Sequence, residues 1–235
     1  MSFTFDHLEM GQDLQSLGNA ASRFLLSRTQ NLDRLRIDLG FAVEAAKRGG
    51  PQTFEWETAS GSPIVLRKSR NWKGANRDAD ELYAEMTVDY TCAWDSEKGR
   101  VRVKEGVTCV AIRNSEEVHK SFHFDTCEGG WNNSAAHPPF HMQVHGSVND
   151  IPRLPSIIVH PVDVLNFAIL ELHQSDWREH ADTNDGRQKL RHLPARQRNR
   201  LIKIADGWIT SLRNGGGRSH PLVLLQTRSP MALDL

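Results

Sequence analysis

Apolar positions in the first fifty residues recur at steps of three and four. Leu14, Leu17, Ala21 and Phe24 form one set, and Leu32, Leu35, Leu39, Ala42 and Ala46 a second, which is the spacing of an amphipathic helix. The phase breaks between Ser27 and Asn31, so the pattern predicts two helices or one interrupted helix. Arg48-Gly49-Gly50-Pro51 then supplies a basic last turn, a glycine stop and a proline beyond it.

From Phe54 to Gly146 the period changes to two. Leu82, Ala84, Met86, Val88 and Tyr90 alternate with Tyr83, Glu85, Thr87, Asp89 and Thr91, predicting a half-buried strand. Asp95-Ser96-Glu97-Lys98-Gly99 reads as a turn. Arg100 to Lys104 alternates again, Val107 to Ile112 is a fuller apolar run, and Ser121 to Asp125 resumes alternation. Strands at short spacing with no helices between them point to an antiparallel meander.

The helical period returns after the loop Asn149 to Pro155. Pro161 suits a first helical position, and Val162, Leu165, Ile169 and Leu172 mark one face of a helix running toward Trp177. A further helix is predicted from Pro194, with Leu201, Ile204, Ala205, Trp208 and Leu212 as its stripe and Asn214 to Gly217 as its stop. Pro221 to Thr227 reads as an edge strand. The predicted class is α+β, with a helical arm over residues 1–50 and an α+β domain over 51–235. In that domain the sheet takes 51–148 and the C-terminal helices, packed on one face of it, take 160–214.

Strand parity also sorts the polar side chains. Eight of the eleven histidines fall between His119 and His180. In Phe122-His123-Phe124-Asp125 the phenylalanines share one face and His123 and Asp125 the other. In Phe140 to His145 the apolar residues again take one face, leaving His141, Gln143 and His145 opposite. Neighbouring strands would lay these groups side by side, with Glu85 and Asp89 at the right parity to join them. The competing view is a solvated outer face, where alternation serves solubility alone.

Histidine gives and takes protons near neutrality. His123, His141 and His145 are therefore candidate acid and base groups, with Asp125 fixing a tautomer and Arg153 holding a phosphate. A shared metal is disfavoured on a strand, where positions four apart lie roughly 13 Å from each other. A short helix over Pro138 to His145 would instead put His141 and His145 on one face; the clean alternation favours the strand. No metal or cofactor is expected. Nucleotide-binding glycine motifs and a serine nucleophile elbow are absent from the sequence.

Charge is balanced, 29 basic against 29 acidic residues, so polyanion binding would need a local patch. Arg187 to Lys203 contains seven Lys or Arg and no acid. On a helix Arg196, Arg200 and Lys203 form one ridge, and these with Arg198 are the candidate nucleic-acid contacts. The alternative is pairing with Asp78, Asp80, Glu81 or Glu85. Three cysteines without a C-x-x-C pair, no membrane-length apolar run and no signal-like N-terminus lead to the expectation of a cytoplasmic protein that does not engage membranes. A chain of this length can bury around 70% of its unfolded surface.

His137-Pro138-Pro139-Phe140-His141-Met142-Gln143, followed by Pro152-Arg153-Leu154-Pro155 and the helix ending at Asp176-Trp177, resembles a pattern in uncharacterised bacterial proteins of about this size. The resemblance covers the C-terminal half and implies no activity. Two functional classes follow from the residues themselves. One is an RNA- or nucleotide-directed phosphodiesterase, ribonuclease-like and independent of metal. The other is a non-catalytic protein that docks a partner or a second copy through the coiled-coil-like seam of its N-terminal helices.

Overall fold

The computed structural model describes residues 3–26, 30–73, 81–128, 140–145, 153–214 and 233–234. Its class is α+β, as the periodicities predict. Strand β1 (Phe3–Phe5) precedes helices α1 (His7–Ala20) and α2 (Gln30–Lys47). Strands β2 (Thr53–Glu57), β3 (Ile64–Val65), β4 (Tyr83–Asp95), β5 (Arg100–Arg113), β6 (Val118–Cys127), β7 (Phe140–His145) and β8 (Arg153–Pro155) follow. Helices α3 (Pro161–Asp182), α4 (Asn184–Leu190) and α5 (Leu193–Arg213) come next, then strand β9 (Leu233–Asp234). The predicted edge strand over 221–227 lies outside the described residues.

The strands form one sheet in the order β2-β4-β5-β6-β7-β8, with β3 on β4, β1 on β5 and β9 on β1. All pairings among the described strands are antiparallel except β1 with β9. The β4–β5 hairpin closes at the predicted turn. Gly99 adopts φ +65 there, a conformation that suits glycine, and Asp95 accepts the Lys98 amide at 3.1 Å.

The two apolar runs predicted over 100–112 are one strand. A β-bulge between Thr91 and Cys92 leaves Lys104 unpaired, so Val101 and Val103 before it and Thr108 and Val110 after it all face inward. Beyond the bulge the neighbour of β5 changes: β6 pairs from Glu105 onward and β1 pairs with Val101 to Val103.

Helices α2 and α3 pack against the sheet. Trp56 of β2 donates its indole N–H to Leu35 O of α2 at 2.8 Å. Phe124 of β6 meets Phe167 of α3 edge to face. Buried Tyr90 donates to Val159 O at 3.0 Å and contacts Thr108 Oγ1. Gly106 is required beneath it, because an added Cβ would lie 2.6 Å from the Tyr90 ring. Phe3, Leu14, Leu35, Leu39, Tyr90, Phe124, Ile169 and Trp208 belong to one continuous core, so no division between cores falls at residue 50. The seam of Leu32, Leu35, Leu39 and Ala46 is buried inside the chain and is not a free docking face.

Sequence periodicity places α1, α2, α3 and α5 correctly but misses β1 and α4. Along α5 only Ile204 and Trp208 of the predicted stripe are fully buried; Leu201 and Ala205 are half-buried and Leu212 is exposed. No helix among the described residues is long and apolar enough to cross a membrane.

Candidate functional site

The face opposite Phe122 and Phe124 carries the histidines in ordered rows. Across β4, β5, β6 and β7 one row reads Asp89, Val107, Asp125, His141; the next Thr87, Cys109, His123, Gln143; the third Glu85, Ala111, Ser121, His145. Residues 140–145 form the strand that alternation favours. Strand register thus brings His123, Asp125, His141 and His145 onto one surface, as expected.

Cross-strand pairing sets Asp125 directly opposite His141, with Oδ2 3.0 Å from Nε2. Gln143, two residues along the same face, sits 2.8 Å from the same nitrogen. A carboxylate can only accept, so a proton on Nε2 donates to Asp125; the Gln143 atom set against that nitrogen is its amide Nε2. His141 is 0% exposed, Asp125 8% and Gln143 6%. This is a correction to the expected role of His141: a fully buried imidazole engaged on Nε2 is placed to position its neighbours, not to touch a substrate.

The diagonal pair differs. The rings of His123 and His145 stack with centroids 3.9 Å apart and planes 39° from parallel, and both are only half-buried. Diagonal neighbours on one face of an antiparallel pair come within side-chain reach. His145 Nε2 has no hydrogen-bond partner although the atom itself is shielded from solvent. Cys109 stands across from His123, but burial, followed by the charge of Asp125, pushes its thiol up to about 11. It is a poor nucleophile there.

On its other side Asp125 borders a cleft of about 190 Å³ lined with Asp89, Thr91, Glu105 and Val107. The polar face is therefore graded, acidic beside Asp125 and carrying imidazoles beside Ser121. Glu85, at the imidazole end, is neutralised by Arg113 at 2.7 Å. Among the described residues no group of three His, Cys, Asp or Glu is placed to hold a metal ion. Arg153 is not in a loop; its backbone belongs to β8 opposite Gln143, and its side chain lies outside the described residues.

The basic ridge is largely spent inside the protein, which corrects the expectation for Arg196 and Arg200. Arg200 is 6% exposed. It holds both oxygens of Asp163 on α3, at 2.9 and 2.6 Å, and Asp13 of α1 at 2.8 Å. Arg196 reaches Asp13 at 2.9 Å and Gln12 at 3.0 Å, with Glu9 beside it. Arg198 and Lys203 remain on the exposed side of α5. The pairing alternative is realised, but through Glu9, Asp13 and Asp163 rather than the acids near residue 80; Asp78 and Asp80 lie outside the described residues. Asp13 and Asp163 were missed because each lies far along the chain from its arginine. The one signal was an acid placed among the apolar positions of a helix.

Comparison with protein-family models, with curated proteins and with solved structures finds no match for this chain.

Proposed function

We propose that the face formed by β6 and β7 is a general acid–base site that cleaves a phosphodiester in a nucleotide or short RNA substrate. The observation that carries this reading is the half-exposed His123/His145 stack, one ring spacing apart and backed by the buried Asp125–His141–Gln143 network. A neutral imidazole takes the proton of a ribose 2′-hydroxyl as the O2′–P bond forms. An imidazolium gives its proton to the 5′-oxygen as the P–O5′ bond breaks. The products are a 2′,3′-cyclic phosphate and a free 5′-hydroxyl, so atoms and charge balance. Asp125 and His141 act as positioning residues by fixing the strand pair beneath the reacting rings.

The acidic cleft of Asp89, Glu105 and Asp125 argues for a short substrate. A long polyanion laid across the sheet would run over three carboxylates, and the loss of Arg196 and Arg200 from the contact set leaves only Arg198 and Lys203 of the expected strip.

The test is turnover of a dinucleoside phosphate, with products resolved chromatographically and metal chelated. The wild type is expected to release a 2′,3′-cyclic product. His123→Ala and His145→Ala should each lower the rate by roughly 10²–10⁴-fold at unchanged melting temperature. Absence of turnover by the wild type, or full turnover by both variants, would refute the reading.

Docking of a second copy through the N-terminal helices has one observation in its favour. Ile37 and Phe41, one turn apart on the outer side of α2, are 43% and 71% exposed. Light scattering on Phe41→Glu against wild type decides it: an unchanged monomeric mass in both removes this reading.

A further inference from the structure

A cavity lies on the Phe122 side of the sheet, away from His123 and His145, where α3 crosses the ends of β4, β5 and β6. Its volume is about 560 Å³, within the range of roughly 300–1,000 Å³ typical of small-molecule sites. Trp72, Leu82, Ile112, Phe122 and Leu172 form its apolar wall. A second recess of about 200 Å³ continues beneath α3, sharing Ile112, Phe122, Glu171 and Leu172 and adding Phe167 and Ala168. The two together make an apolar slot with a wider mouth.

The wall of this slot is built around a distorted backbone. Within α3 Gln174 adopts φ 31 and ψ −106, a conformation that strains a non-glycine residue. Its side-chain amide donates to Trp72 O at 2.8 Å, which fastens the turn carrying Trp72 to the bend of the helix. Such local strain is typically retained where a ligand is gripped.

The mouth carries opposite charges on opposite walls, Lys120 from β6 and Glu171 from α3. Both are exposed. His119 and Gln174 complete the polar rim. A purely anionic head would suit Lys120 but meet Glu171, and a purely cationic one the reverse.

We propose that this cavity binds a zwitterionic amphiphile, its apolar part in the recess under α3 and its ammonium and anionic groups facing Glu171 and Lys120. The shared chemistry fits two sources, a large apolar α-amino acid and a zwitterionic lipid headgroup bearing an acyl chain. The site is independent of the histidine face.

Calorimetric titration with dodecylphosphocholine below its micellar concentration, decanoate, decyltrimethylammonium and L-phenylalanine tests it. Wild type should bind one of the two zwitterions at least fivefold more tightly than either singly charged chain, about the effect of one rim ion pair. Which zwitterion it is names the source. Lys120→Glu, an exposed substitution that spares the fold, should invert the order so that decyltrimethylammonium binds best. Ala168→Leu should weaken every ligand by filling the recess, and the Lys120 variant keeps the test open if that protein does not fold. Equal affinity for all the chains, or no binding of any probe, would overturn the proposal.

Discussion

Asp163 and Asp125 are both buried carboxylates, each facing one basic side chain, yet they do different work. Asp163 meets a guanidinium that grips it through two parallel bonds and reaches on to Asp13. Burial pushes the Asp163 carboxyl up against the opposing pull of Arg200. The clamp ties α1, α3 and α5 together with a charge that no ordinary pH removes from arginine. Asp125 meets an imidazole, which carries one exchangeable proton and borders a second, more open pair of imidazoles. One cluster has each guanidinium nitrogen of Arg200 bonded to a carboxylate, and the other includes imidazoles that are only half-buried. Titratability and access, rather than the density of charge, separate a fastening from a candidate site.

Breaking the clamp should have the largest effect. Arg200→Ala leaves Asp163 buried without its partner and Asp13 with Arg196 alone, and removal of one member of a buried pair costs about 3–5 kcal/mol. At about 2–4 °C per kcal/mol for a chain of this size, calorimetry should show a fall in melting temperature on the order of 10 °C. A combined apolar replacement of Asp13, Arg200 and Asp163 should recover most of it, because apolar packing can substitute for a buried ion cluster.

Next in size is His141→Ala, which strands Asp125. The expected loss is about 1.5–3 kcal/mol, the range for hydrogen bonds to charged groups, read from urea midpoints. A loss as large as that of Arg200→Ala would mean that the two clusters are equally structural and would dissolve the contrast.

Acid should lower stability through the buried histidines. His160, at the start of α3, packs edge-on against Phe3 and Phe5. It is held well below 6.5 by burial and then by the charge of Arg200. Below about pH 6.5 the unfolded chain takes up a proton that the folded one refuses, so stability present above that pH is lost as pH falls. His7 and His173, lowered mainly by burial, act in the same sense. Melting temperatures between pH 7.5 and 5 should therefore decline, and His160→Gln should flatten the slope.

The smallest effect is expected at the open pair. His123→Ala and His145→Ala should shift stability by no more than about 0.5 kcal/mol each. A larger shift would place the stacked rings with the fastenings instead of with chemistry.

The sequence made the helices and the polar face legible because both depend on periodicity, and the parity of Phe122 to Asp125 and of Phe140 to His145 survives in the register. It concealed what periodicity does not encode. Phe3 to Phe5 is too short for a pattern. Helix α4 opens on Thr183, whose hydroxyl accepts the Gly186 amide, but buries only Gly186 and Leu190, so it shows no stripe. The ridge of Arg196 and Arg200 looked solvent-facing because its counter-charges arrive from other helices, Asp163 of α3 and, more than 180 residues away in sequence, Asp13 of α1. The difference between His141 and the stacked pair was invisible for a related reason: parity assigns a face but not the depth of cover over it.

The bulge in β5 has a consequence for chain length. Val103 and Gly106 both face the core although three positions separate them, because Lys104 stands outside the ladder. Losing Lys104 would restore an uninterrupted alternation with no side chain changing sides, whereas dropping one residue elsewhere within the paired strand would turn one portion of it over. The joint where β5 hands its edge from β6 to β1 is thus a place where the polypeptide can shed a residue and keep its reading frame of inside and outside, giving up only the bend that lets the two neighbours follow one another.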